Sequence, residues 1–434
     1  MVLALDTLPK KLLVLLLALV ASVPLSLSLW SQYRAEAFAR KGSAESLEQA
    51  IAIQPGNAEL HNRLGRVLLY SPAGDPARAK GELERAAALD PRAGAYAIDV
   101  ALERELAGDM DGAAQAIARA RLAEPRTPSI LWHEMNFWLR RQQNERALEL
   151  ARTLLLMAPE YTARAVPLLL RVTSGNALLD GVVPKNVGAY GNALEALRRE
   201  ERVESAEKFW QRAGELGQPI PEWQVQMFVD WMLNRGQTEL ALRAWSEAAR
   251  NRWIPVDPEA LDAAVYNGDF RAPLLNFGFD WRVENNEEAS VWVELGGPSG
   301  GQQSLCVQFA QNARSEYFGV YHFVPVQPAF HYELRASLRA DRLISSSGAL
   351  LQVQEIAPGR GVTPTTESIM GTNPWREVLL HFETGPETKL VRLTLVRPAP
   401  SPKEEPASGL VCVSALEWKA LGPARTISVE GGPR

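Results

Sequence analysis

Four prolines, Pro55, Pro91, Pro125 and Pro159, follow one another at intervals of 36, 34 and 34 residues, and this period constrains the chain more than any other feature. Twelve residues before each stand Ser43, Ala79, Ala113 and Ala147. Eight before stand Leu47, Leu83, Ile117 and Ala151, and five before stand Ala50, Ala86, Ala120 and Leu154. A helix with small, large apolar and small residues at this spacing packs closely on a neighbour, and the proline then stops it. Leu64-Gly65 with Leu68 supplies a tight crossing in the partner helix, and Gly108 marks an inter-helix turn. The two extra residues of the first interval fall in the turn-rich stretch Ser71-Pro-Ala-Gly-Asp75.

At these positions, over residues 38–160, the chain resembles the tetratricopeptide repeat (TPR). The likeness weakens in the third full unit, where Glu134-Met135 replaces Leu-Gly. Degenerate helical repeats are expected over 161–265: Ala206, Trp210 and Ala213 recur 35 residues later as Ala241, Trp245 and Ala248, with Gly236 as a turn. The stretch 173–188 breaks the register between the two sets. The resemblance implies an α-solenoid of helix pairs whose concave surface takes a peptide or a partner helix. Arg63, Arg66 and Arg104, with Trp132 and Trp138, are the candidates for that surface; the competing reading has solvated arginines and core tryptophans. Trp210 and Trp245 occupy the helix-B apolar position and read as core.

Ahead of the repeats, residues 12–33 run for 22 positions without a charge. As a helix they would measure roughly 33 Å, enough to cross a hydrocarbon core, with Trp30 and Tyr33 at the interface. This predicts a transmembrane helix. A cleaved secretion signal and a buried core helix are the other readings, and Ala35-Glu36-Ala37 makes a poor cleavage site beside Arg34. Lys10 and Lys11 precede the run while Arg34, Arg40 and Lys41 follow it, so charge bias does not fix the orientation. The short head, 1–11, is expected to stay cytoplasmic with the bulk of the chain exported.

From Tyr266 the periodicity changes to short alternating segments: 289–295, 304–309, 317–326, 332–338, 349–356, 377–382, 390–396 and 410–418. This predicts an antiparallel β-sandwich or jelly roll over 266–421, followed by a flexible tail, 422–434. The strings Asn267-Gly-Asp-Phe270, Gly278-Phe-Asp-Trp281, Ser304-Leu-Cys-Val-Gln-Phe309, Val324-Pro-Val-Gln-Pro328, Tyr332-Glu-Leu334 and Gly371-Thr-Asn-Pro-Trp375 resemble, in order, the galactose-binding-like fold of family 4 and 9 carbohydrate-binding modules. That resemblance implies a glycan surface. Strand alternation from Tyr317 puts Tyr317, Tyr321 and Phe323 on one face, opposite Phe318, Val320, His322 and Val324. Tyr317 and Tyr321, with Trp281 and Gln308 as neighbours, are the candidate glycan residues; the bland alternative buries both faces. Trp375 and Trp418 fall at positions that pack the core in such modules. Such modules often hold calcium between an early and a late Asp; Asp269 matches the first, but Ser414 stands at the second and is a weak ligand.

Parity turns Cys306 and Cys412 outward, which allows either a disulfide or two free thiols. Two cysteines and five scattered histidines hold no metal motif, and a net charge of −5 argues against a nucleic-acid footprint. No nucleophile elbow, zinc-protease helix or phosphate loop occurs, so neither an enzyme nor a cofactor is expected. The sequence therefore predicts a multidomain α + β protein: a single-pass bacterial inner-membrane anchor carrying TPRs for a protein partner and a β-sandwich for glycan. Its expected role is accessory to making, exporting or anchoring a surface polysaccharide. The alternative is a purely structural protein–protein assembly factor of the envelope.

Overall fold

The computed structural model describes residues 8–72, 74–299, 302–356, 363–400 and 406–424. The chain divides into two compact units, 1–184 and 185–434. The division falls inside the 173–188 stretch where the repeat register breaks.

The first unit is helical: α1 (Leu8–Ala39), α2 (Ala44–Ile53), α3 (Ala58–Tyr70), α4 (Pro76–Leu89), α5 (Gly94–Leu106), α6 (Met110–Ala123), α7 (Pro128–Arg140), α8 (Asn144–Met157), α9 (Thr162–Leu169) and α10 (Gly175–Gly181). Local chemistry sets the ends. Asp75 caps α4 by accepting from the Ala77 and Arg78 N–H groups, both at 3.1 Å, with Pro76 in the first helical turn. Ser43 caps α2 in the same way. Every other residue of the three repeat sets is at most 4% exposed, so the spacing read from the sequence is the packing seam. The closest crossing is at Gly65, where a Cβ would stand 2.6 Å from Leu83 Cγ. Where the third pair departs from Leu-Gly, Glu134 is buried between α6 and α8, with Arg121 at 3.0 Å and Arg146 at 3.7 Å. Two guanidiniums thus hold a carboxylate at a position that is otherwise apolar or backbone.

The anchor expected at 12–33 falls within α1, where the side chains of Leu13, Leu17, Ala18, Ala21 and Leu25 lie outside the described set. Among the described residues no helix is long and apolar enough to cross a membrane, so the transmembrane reading is not carried by the fold. Within α1, Leu15, Leu16, Leu19, Val20 and Leu27 are exposed, whereas Ala35 and Ala39 are buried against α2 and α3. Most of the head, 1–7, and of the tail, 425–434, lies outside the described residues.

The second unit joins four helices to two sheets. The helices are α11 (Val187–Arg199), α12 (Val203–Glu215), α13 (Glu222–Asn234) and α14 (Thr238–Arg250). Trp210 and Trp245 are buried in them as read from the sequence; Trp210 stacks on Phe228, centroids 4.4 Å apart. The strands are β1 (Arg282–Val283), β2 (Ala289–Leu295), β3 (Gln303–Ala313), β4 (Tyr317–Pro325), β5 (Phe330–Ile344), β6 (Leu350–Glu355), β7 (Gly371–Glu383), β8 (Leu390–Arg397) and β9 (Ala407–Pro423). They form a four-stranded sheet, β1-β4-β8-β6, and a five-stranded sheet, β2-β3-β9-β5-β7, with antiparallel pairing throughout. The inward residues of both, among them Leu305, Val307, Val320, Val324, Leu334, Leu393 and Val411, make one apolar core. The helices meet the sheets through polar bonds as well. Asp230 of α13 lies 2.6 Å from Arg282 and accepts from the Gly278 N–H at 2.9 Å, and Lys389 lies 2.7 Å from Glu239 of α14.

Candidate functional site

The four candidate glycan residues are not brought together. A β-bulge interrupts the β4–β8 pairing between Tyr317 and Val320, and the extra residue inverts the parity ahead of it. Tyr317 is therefore 3% exposed and Phe318 is 52% exposed, the reverse of the alternation expected. The Tyr317 ring packs edge-on to Phe309 at 5.4 Å, its hydroxyl donates to Glu284 O at 3.3 Å, and burial raises its pKa. Trp281 is fully buried against Phe270 and His322, and its Nε1 donates to Asn267 O at 3.2 Å. Gln308 is exposed, but on the five-stranded sheet, where its amide donates to Gly409 O at 3.0 Å. Only Tyr321 faces outward from the four-stranded sheet. Trp281 and Tyr317 are thus core residues.

Around Tyr321 the sheet register builds a band that the sequence reading missed. One row across the strands is Arg282, Tyr321, Thr394 and Gln352; the next is Phe323, Arg392 and Gln354. Each alternates along its strand with a buried apolar or neutral neighbour, such as His322, Leu393 or Val353, so all seven share the outer face. Tyr321, Phe323, Arg392, Gln352 and Gln354 are half-buried, and Thr394 is buried. The side chains interleave. Tyr321 and Phe323 meet edge-to-face at 5.7 Å, Arg392 lies 5.6 Å from the Tyr321 centroid, and Arg282 lies 5.6 Å from that of Phe323. Arg392 also donates to Gln354 Oε1 at 2.6 Å. Aromatic surface flanked by amide, hydroxyl and guanidinium groups can hold an apolar ring face and fix its hydroxyls. A usable signal was present in Leu351-Gln-Val-Gln354 and Val391-Arg-Leu-Thr394, polar residues alternating in phase on paired strands.

The outer face of the five-stranded sheet is chemically different. Cys306 and Cys412 are directly paired in register and joined by a disulfide, with Cα atoms 4.1 Å apart. Glu294 lies close to both sulfurs, but a disulfide offers no thiolate to a metal. Arg339 spans the bridge, 2.7 Å from Glu294 and 5.4 Å from the Trp375 centroid, so Trp375 is half-buried on this face and not in the core. Asp269 pairs with Arg271 at 3.1 Å, and the Ser414 hydroxyl donates to Gln303 O at 2.6 Å.

In the first unit, α3, α5 and α7 stand in a row, tied by Asn62–Asp99 at 2.8 Å and by a two-pronged Arg140–Glu105 pair at 2.6 and 2.8 Å. Two of the candidate partner arginines serve the fold: Arg63 donates to Ala39 O at 2.6 Å, and Arg104 bonds Gly112 O and Glu84, both at 3.2 Å. Arg66 is exposed beside Tyr70, in a shallow depression with Gly42, Leu47 and Val67. Trp138 is buried under Arg146, and Trp132 is half-buried against Tyr161.

No protein-family model and no curated protein matches the chain. Among solved structures, one described as "CBM4 structure and function" aligns with 36% of this chain and 99% of its own, at 10% identity and a TM-score of 0.27. Pseudomonas aeruginosa PilF aligns with 51% of this chain and 90% of its own, at 14% identity and a TM-score of 0.29. YrrB, described as a TPR protein with an unusual peptide-binding site, aligns with 48% of this chain and 94% of its own, at 14% identity and a TM-score of 0.26. Likenesses this weak carry no functional weight, and the reading of TPR-like repeats beside a β domain rests on the burial and register described above.

Proposed function

We propose that the chain is a non-catalytic binding scaffold of a bacterial envelope. Its β-sandwich touches glycan through the outer face of the four-stranded sheet, and its helical repeats hold a protein partner. The observation that carries this reading is the half-buried band of Tyr321, Phe323, Arg392, Gln352 and Gln354. The uncharged stretch 12–33, with its exposed leucines, supports a role for α1 as a single-pass anchor in the inner membrane. The Cys306–Cys412 bridge supports an extracytoplasmic location for the rest, because thiols in a reducing cytoplasm stay unpaired. In this reading the protein is an accessory to the synthesis, export or anchoring of a surface polysaccharide.

The alternative, an assembly factor that binds only protein, draws support from the burial of Trp281 and Tyr317. Full-length protein in detergent, applied to a broad glycan array, separates the two. Retention on a defined set of polysaccharides is the expected result. Retention on none, with co-purified proteins and no sugar, overturns the glycan reading in favour of the alternative.

A further inference from the structure

The outer face of the four-stranded sheet carries two arginines in adjacent rows, Arg282 and Arg392. Arg282 is neutralised by Asp230 at 2.6 Å. Arg392, in the middle of the same face, has no ion pair among the described residues: its Nη2 goes to the neutral Gln354, and its Nε is buried without an acceptor. The nearest acid along β6, Glu355, is taken up elsewhere, accepting from the Gly385 N–H at 2.8 Å and the Thr388 hydroxyl at 2.9 Å. In the adjoining row, Thr394 is 1% exposed and its Oγ1 has no hydrogen-bond partner, although it lies between Tyr321 and Gln352. A guanidinium whose Nε is buried without an acceptor is costly unless its remaining donors are well paired, whereas the Thr394 hydroxyl lies beneath the surface. They stand one row apart, beside two aromatic rings, in a chain whose net charge is −5.

We infer that this face takes an acidic glycan, a chain containing uronic-acid residues. The Arg392 guanidinium meets a sugar carboxylate in a charge-assisted hydrogen bond. Tyr321 and Phe323 offer the apolar surface for the pyranose ring, and the half-buried Gln352 and Gln354 amides meet ring hydroxyls. The net negative charge of the protein disfavours non-specific adhesion of such a polymer, so the local positive charge acts as a selector and not merely as an attractor. The inference rests on the glycan reading above and deepens it.

The test titrates full-length protein in detergent with oligogalacturonate and with the same oligosaccharide after carboxyl reduction, which keeps the sugar configuration and removes the charge. Wild type should bind the acidic form about tenfold more tightly than the reduced form, and the gap should narrow as salt is raised. Arg392→Gln should bring the acidic and reduced forms to equal affinity, and Arg392→Lys should restore part of the difference. Equal binding of both forms by wild type, or a preference untouched by Arg392→Gln, overturns the acidic selectivity and leaves the glycan reading standing. Binding of neither form, together with an empty glycan array, overturns both.

Discussion

Trp245 of α14 rests on the bare backbone of Gly278: a Cβ at that position would lie 2.4 Å from Trp245 Cζ3. Phe277 and Phe279 on either side of the glycine present their edges to the same indole, at 5.5 and 6.1 Å. The last helix pair and the β-sandwich therefore share packing, consistent with their falling in one compact unit. The helix-B tryptophan, which in the preceding pair stacks on the next helix through Phe228, here caps the sheet domain instead.

Gly278→Ala tests that contact. Gly278 has φ +60°, so alanine meets both backbone strain and the indole. A loss of about 2–4 kcal/mol in chemical denaturation is expected. An unchanged midpoint would mean that Trp245 moves aside freely and that the junction is loose.

Acid titration should reveal two opposed buried groups. Burial lifts the Asp280 carboxyl from 3.8 to about 6, so its contribution to stability is present at low pH and is lost as pH rises through that range. Burial lowers the His322 imidazole from 6.5 to about 4, so its contribution is present above 6.5 and is lost as pH falls towards 4. The two slopes nearly cancel between pH 4 and pH 6. Asp280→Asn removes the first alone. Relative to wild type, the variant should lose about 2–3 kcal/mol of stability on going from pH 7 to pH 4. A stability gap that stays constant across this range would show that Asp280 titrates normally.

The Cys306–Cys412 bridge closes a sequence separation of 106 residues between neighbouring strands. Replacing both cysteines by alanine should cost about 2–5 kcal/mol in urea unfolding, and reductant should destabilise wild type but not the double variant. Equal stability of the two proteins under oxidising conditions would contradict a structural role.

In the repeats, Gly65→Ala and Leu83→Ala should be strongly non-additive. Each alone destabilises: the first by driving a methyl into Leu83, the second by opening a cavity. Together they should recover about 1–2 kcal/mol relative to the sum of the singles. Strict additivity would mean that α3 and α4 cross elsewhere.

Much of this was legible because the relevant signals are local. The spacing Ala79, Leu83, Ala86, Pro91 translates directly into a packed stripe and a stop, and strands occur at every alternating segment that was expected. The site was legible only in part. Alternation assigns a residue to a face but not to a sheet, so outward-facing Gln308 was grouped with residues of the other sheet. Tyr317 was misassigned because the bulge before Val320 inverts parity; Gly319, a glycine inside a strand, was the available warning. Trp281 sits in a short string whose burial depends on Phe270 and His322, neither close enough in sequence to announce it. Arg392 and Thr394 matter through pairing with strands some forty to seventy residues away, a relation that only the register supplies.

The most direct measurement compares glycan affinity of the full-length protein after single substitutions on the two outer faces: Tyr321→Ala on the four-stranded sheet, and Trp292→Ala on the five-stranded sheet, where Trp292 is 38% exposed and stands opposite Cys306 in register. Loss of the Tyr321 ring should weaken binding about tenfold, while Trp292→Ala should leave it within about twofold of wild type. The opposite ranking, with Trp292→Ala impaired and Tyr321→Ala unaffected, would contradict the assignment of the glycan surface to the four-stranded sheet.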